Sequence, residues 1–139
     1  MDNFQDSGGG AVQRRWGGTP RVVLVVEAPP LLLRMAEVVR SMEGVQLAGS
    51  FRTAPEVLDW LVWDRPVWHF AYVDLTLREG GSEEVVGRLH AGRAGTIIGV
   101  SDHLWRETRA AWTPRGVVDL VEKGDLLAFR SDLEQRARR

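Results

Sequence analysis

Four short apolar runs of the chain each lead into a residue that can do chemistry. Val22–Val26 runs into Glu27, His69–Val73 into Asp74, Thr96–Val100 into Ser101, and Val117–Val121 into Glu122 and Lys123. Two carboxylates, a hydroxyl and an ammonium brought to one rim suit phosphoryl transfer. A carboxylate can attack phosphorus and form an aspartyl phosphate. The charge on the phosphoryl oxygens calls for a hard cation such as Mg²⁺, held by carboxylates and carbonyls. A lysine and a hydroxyl then meet the remaining phosphoryl oxygens. Asp74 is the expected nucleophile, Glu27 a metal ligand, and Ser101 and Lys123 the phosphoryl contacts. Lys123 has a second distinction, being the one lysine among 18 basic residues. A chain this rich in arginine would place arginine at an ordinary surface position. One lysine at a strand end points to a need for a compact charge on a flexible stem.

These side chains meet only if the runs are neighbouring strands. Together with Val45–Ala48 the runs make five strand-length segments, several of them nearly continuous in apolar residues, as expected for strands buried on both faces. Helical spacing fills the intervals. Leu32, Met35, Ala36 and Val39 recur at i, i+3, i+4 and i+7, and Val57, Leu58, Leu61 and Val62 come after Pro55. Val85, Val86 and Leu89 come after a Ser82-Glu83-Glu84 helix start. A fourth helix is predicted from His103 to Trp112, stopped by Pro114 and Gly116, and a fifth from Asp125, carrying Leu126, Leu127, Phe129 and Leu133. Strands alternating with helices predict an α/β fold: a doubly wound, five-stranded parallel sheet with helices on both faces. Right-handed crossovers then put the crevice at the carboxyl ends of the strands, where the sheet order reverses.

Composition narrows the rest. With 139 residues, 44% hydrophobic and 27% charged, the chain supports one globular domain. A net charge of −1 provides no basic field for direct contact with nucleic acid or an anionic membrane. The absence of cysteine removes disulfides, thiolate metal sites and thiol nucleophiles. No apolar run approaches the roughly 20 residues of a membrane span, and Met1–Gly18 lacks the pattern of a secretory signal. The expected location is the cytoplasm. Residues 1–20, rich in glycine, read as a flexible leader with Trp16 as a latch, residues 21–136 as the domain, and 137–139 as a frayed end. His69, His90 and His103 show no metal-ligand spacing, and Ser82 and Ser101 no nucleophile elbow. Glu27-Ala28-Pro29-Pro30 is acidic and short of N–H donors, which disfavours a flavin or nucleotide phosphate there. Trp60, Trp63 and Trp68 are expected in the core.

Over 21–136 the chain resembles the receiver domain of bacterial two-component response regulators. The matching pieces are Arg-Val-Val-Leu-Val-Val-Glu-Ala-Pro at 21–29, Tyr-Val-Asp-Leu-Thr-Leu at 72–77, Gly-Val-Ser at 99–101 and Val-Glu-Lys-Gly-Asp at 121–125. The resemblance implies the flavodoxin-like (βα)5 fold with sheet order 2-1-3-4-5. It implies a non-enzymatic phosphoprotein that takes a phosphoryl group on Asp74 from a histidine kinase or phosphotransferase. Ser101 takes the position of the switch hydroxyl and Lys123 that of the lysine. The backbone carbonyl of Thr76 joins Glu27 and Asp74 as a metal ligand. The fourth helix, fifth strand and fifth helix form the implied signalling face, with Trp105 and Trp112 as candidate contacts to a downstream protein or a second copy in a homodimer.

Departures from the family pattern accompany the matches. Val26 stands where one of two acids is usual, which is expected to weaken Mg²⁺. Arg78 replaces a proline, which is expected to loosen its loop, Leu120 replaces the moving aromatic, and Asp102 replaces a small residue. Two readings result: a single-domain response regulator, or a phosphorylation-independent interaction module on the same scaffold.

Overall fold

The computed structural model describes residues 18–138, so Trp16 and most of the expected leader lie outside the described residues. All five apolar runs become strands: β1 (Arg21–Val25), β2 (Gln46–Phe51), β3 (Phe70–Asp74), β4 (Thr96–Ser101) and β5 (Val117–Glu122). They pair in parallel in the order β2-β1-β3-β4-β5. The connecting helices are α1 (Pro29–Ser41), α2 (Ala54–Asp64), α3 (Gly81–Gly92), α4 (Arg106–Trp112) and α5 (Leu126–Arg138).

Every residue of β3 is buried, and so are Val22 to Val25 of β1. A strand with helices on both faces has no polar side, which is why these runs lack alternation. Successive side chains along β1 and at Val26 just after it nonetheless divide between two cores. Val22, Leu24 and Val26 pack with Met35 and Val39 of α1 and Phe129 and Leu133 of α5. Val23 and Val25 pack with Val57 of α2 and Val85, Val86 and Leu89 of α3. Each such valine or leucine contributes about 1.5–3 kcal/mol of transfer free energy. The order reverses between β1 and β3, so the ends of these two strands flank the crevice.

Local chemistry sets the helix ends. Pro29 and Pro30 open α1, where the absent N–H groups cost nothing. Thr53 and Glu56 form a capping box on α2, and the Asp125 carboxylate accepts the Ala128 N–H at 3.0 Å at the start of α5. No helix among the described residues is long and apolar enough to cross a membrane.

Several expectations are corrected. Helix α4 begins at Arg106 and not at His103, because Ser101 captures the backbone of His103 and holds that segment out of the helix. Trp105 precedes α4 with extended backbone and is 59% exposed, its ring stacked on His103 at 4.1 Å. Trp112 is half-buried against the second core, so the two tryptophans are not a pair on one helix face. Of the three tryptophans expected inside, Trp68 is buried and Trp60 packs on Phe51 at 4.9 Å, whereas Trp63 is exposed. Trp63 and Val62 lie about 240° and 140° around α2 from the buried Val57, facing away from the sheet. Leu127, about 200° from Phe129, is exposed for the same reason. Ser82 lies within the first turn of α3 and is not its cap, a position held by Gly80 (φ 72°). At the other terminus α5 continues through Arg138, because Ala137 is buried and Arg136 pairs with Asp132 and Asp119.

Candidate functional site

Asp74 closes β3 at the rim of the sheet and is 2% exposed. Its main-chain carbonyl accepts the Ser82 hydroxyl at 2.7 Å, and the same hydroxyl accepts the Leu77 N–H at 2.9 Å. Its carboxylate is surrounded by donors. Oδ1 accepts the Thr76 N–H at 2.9 Å and the Thr76 hydroxyl at 2.7 Å, with Lys123 Nζ at 3.1 Å. Oδ2 accepts the Glu27 N–H at 3.2 Å. Lys123 is delivered by the sheet: its N–H donates to the Ser101 carbonyl at 2.7 Å, continuing the β4–β5 pairing by one residue. Its ammonium also donates to the Thr76 hydroxyl at 2.7 Å and stands 3.6 Å from Asp102. Thr76 thus bridges ammonium and carboxylate through one oxygen.

Burial acts to raise the Asp74 pKa, but the hydrogen bonds from Thr76, Glu27 and Lys123 outweigh it and hold the carboxyl below its ordinary value. The carboxylate is therefore ionised and ordered, as a nucleophile toward phosphorus must be.

Glu27 reaches the same open cleft, a space of about 280 Å³ also lined by Asp74, Thr76, Arg52, Arg78 and Lys123. Both of its carboxylate oxygens are taken by Arg78. The Arg78 N–H donates to Oε1 at 3.2 Å and its Nε to Oε2 at 2.8 Å. Arg52 Nε donates to the Glu27 carbonyl at 3.1 Å.

The structure therefore brings together Glu27, Asp74 and Lys123 as the sequence suggests, and adds the side chains of Thr76, Arg52 and Arg78. Ser101 is not brought in. Its hydroxyl donates to the His103 carbonyl at 2.8 Å and accepts the His103 N–H at 3.4 Å, inside the β4–α4 loop. The hydroxyl on Asp74 belongs to Thr76, two residues on, where an aspartate readily binds the adjoining backbone in an Asx turn. That Asp-x-Thr spacing is the signal that could have found it. The loop after β3 is not loosened by Arg78 but tied by it to Glu27. Leu120 is buried in the second core. Val26 lies wholly inside the first core and is not among the residues that line the cleft.

A divalent cation prefers several oxygen ligands and a surplus of negative charge. Here two carboxylates face three cations, Arg52, Arg78 and Lys123. Glu27 is fully engaged by Arg78, and Asp74 by four protein contacts. No group of three or more His, Cys, Asp or Glu side chains suited to a metal exists among the described residues. As arranged, the residues do not fit Mg²⁺.

No protein-family model and no curated protein matches the chain. Solved structures do. The response regulator domain of Thermotoga maritima CheB superposes with a TM-score of 0.72 at 14% identity, over 86% of this chain and 94% of that one. A CheY-like response regulator receiver domain protein from Methanospirillum hungatei JF-1 gives 0.72 at 16%, over 86% and 94%. A response regulator receiver protein from Burkholderia phymatum gives 0.72 at 21%, over 85% and 94%. With the strand order β2-β1-β3-β4-β5 and these superpositions, the chain has the fold of response regulator receiver domains.

Proposed function

We propose that the chain is a receiver module of two-component signalling, with Asp74 as its phosphoryl acceptor. The observation that carries this reading is the Asp74–Thr76–Lys123 bridge: a buried, ionised carboxylate at a strand end, with an ammonium at 3.1 Å. In the proposed step one Asp74 oxygen attacks the phosphorus of a phosphohistidine on a kinase or phosphotransferase. The P–O bond forms as the P–N bond breaks, and the leaving imidazole keeps the electron pair and takes a proton. Lys123 and the Thr76 hydroxyl, already on Oδ1, are placed to meet phosphoryl oxygens. The product adds about −1.5 to −2 charges at the rim. The output is a protein–protein contact on the α4-β5-α5 face, to a downstream partner or a second copy, with exposed Trp105 as its anchor.

A second reading, an interaction module that needs no phosphorylation, is favoured by two contacts. Arg78 occupies Glu27, and Ser101 is tied to His103 and not to the acceptor. One experiment separates the two. The protein is incubated with a small phosphodonor, with and without Mg²⁺, and its intact mass is measured beside that of Asp74→Asn. Addition of one phosphoryl group to the wild type alone supports the acceptor reading. No addition to either protein leaves the interaction module as the function, and equal addition to both removes Asp74 from the role.

A further inference from the structure

We propose that Arg78 is a built-in cation that takes the place of a divalent metal on Glu27 and so keeps such metals out of the Asp74 cleft. The inference rests on the reading of that cleft as the acceptor site and deepens it by naming what controls its metal demand.

Three observations converge. Arg78 engages both Glu27 oxygens from a position 51 residues away, one through its backbone N–H and one through Nε. The backbone contact exists only because residue 78 is not proline, which has no N–H to give. The next turn of the chain holds this geometry, with Glu79 (φ 58°) and Gly80 (φ 72°) both in left-handed conformation before α3 begins.

The charge balance points the same way. Arg52 donates its Nε to the neutral Glu27 carbonyl and forms no ion pair among the described residues, so it adds a positive charge beside Glu27. A dication entering the cleft meets Arg52, Arg78 and Lys123 against Glu27 and Asp74 in its lining, with Asp102 behind Lys123 at 3.6 Å. The Arg78 side chain is 84% exposed, and an exposed ion pair is weak on its own. Displacing it from Glu27 does not remove it, however. The Arg78 backbone N–H stays on Glu27 Oε1, so the displaced guanidinium remains tethered beside the cleft and adds a solvent-screened like charge to those of Arg52 and Lys123.

The test uses Mn²⁺ as the probe, titrated into the full chain and followed by electron paramagnetic resonance of the free ion. The proteins are the wild type, Arg78→Ala, Arg78→Gln, and Arg78→Ala combined with Glu27→Gln. Thermal unfolding of each controls for folding, which an exposed side chain is not expected to disturb. The expected result is weak binding in the wild type, a gain of about tenfold in both single variants, and loss of that gain in the double variant. A gain of at least about threefold that Glu27→Gln removes bears the inference out. A smaller gain, or one that survives Glu27→Gln, overturns it. No readout here passes through phosphorylation. A chain that never takes a phosphoryl group yet shows the manganese gain overturns only the acceptor role of Asp74.

Discussion

Replacing Thr76 by valine isolates the bridge between Lys123 and Asp74. Valine keeps the branched shape and removes one hydroxyl, so no cavity forms. Two contacts are lost, the 2.7 Å donation to Asp74 Oδ1 and the 2.7 Å acceptance from Lys123 Nζ. Hydrogen bonds to charged groups contribute about 1.5–3 kcal/mol each. Thr76 is exposed, so water replaces much of what the hydroxyl gives. Lys123 also keeps its direct contact with Asp74 at 3.1 Å. The discounted expectation is a loss of about 1–1.5 kcal/mol at neutral pH.

The pH dependence gives the sharper test. The folded pKa of Asp74 lies below its ordinary value, because the hydrogen bonds to its charged form outweigh its burial. The unfolded chain then holds more protons in this range, so the carboxylate contributes stability above about pH 4 that is lost as the pH falls through the folded pKa. Removing one donor brings the folded pKa closer to the unfolded one. The gap between wild type and Thr76→Val should therefore be full at neutral pH and close as Asp74 is protonated. Urea unfolding followed by tryptophan fluorescence, from about pH 7 down to about pH 3, measures this directly. A gap under about 0.3 kcal/mol at neutral pH, or one that widens as the pH falls, refutes the bridge as a source of stability.

Two other substitutions test the framework around the site. Val26→Asp places a carboxyl wholly inside the first core, and it should cost about 3 kcal/mol or more, increasingly so as the pH rises and the acid must ionise. Thermal unfolding of a variant as stable as the wild type would mean that Val26 faces the cleft after all. Tyr72→Phe removes the 2.7 Å donation to Asp132 from a phenol whose pKa burial pushes far above the usual range. Asp132 keeps Arg136 at 2.8 Å, so a loss of about 1–2 kcal/mol is expected by urea unfolding, and almost none in a background already carrying Asp132→Ala.

The strands were legible because burial on both faces leaves an apolar run with no alternation, as in Val22–Val26 and Phe70–Val73. Glu27, Asp74 and Lys123 were legible for a related reason: in a parallel sheet, the residues at the carboxyl ends of such runs must share one rim. Features decided by side-chain rotation and loop hydrogen bonding were not legible. Ser101 and Thr76 are both hydroxyls beside the rim, and the choice between them is made by the backbone of His103, which takes the serine. The same capture shortens α4, so one local contact accounts for two departures from expectation. The Arg78–Glu27 pair joins two loops 51 residues apart, and neither residue carries a local pattern that announces the other. Trp63 was misplaced because a count of tryptophans ignores the angle each one occupies on its helix.

The solitary lysine acquires a geometric reason. Lys123 Nζ lies near three oxygens on three residues, Thr76 at 2.7 Å, Asp74 at 3.1 Å and Asp102 at 3.6 Å. An ammonium has three donors that spread around one point and a stem of four rotatable carbons. A guanidinium keeps its five donors in one plane, so it suits coplanar acceptors, such as the paired oxygens of a carboxylate, better than oxygens gathered around one point. Phosphorylation of Asp74 would also turn one carboxylate oxygen into the bridging oxygen of an acyl phosphate and move the negative charge outward. The Thr76 N–H is fixed by the backbone and cannot track that charge, whereas the flexible lysine stem can. Arg136, by contrast, rests on the fixed carboxylates of Asp132 and Asp119. On the proposed acceptor reading, Lys123 is the cation whose partner changes.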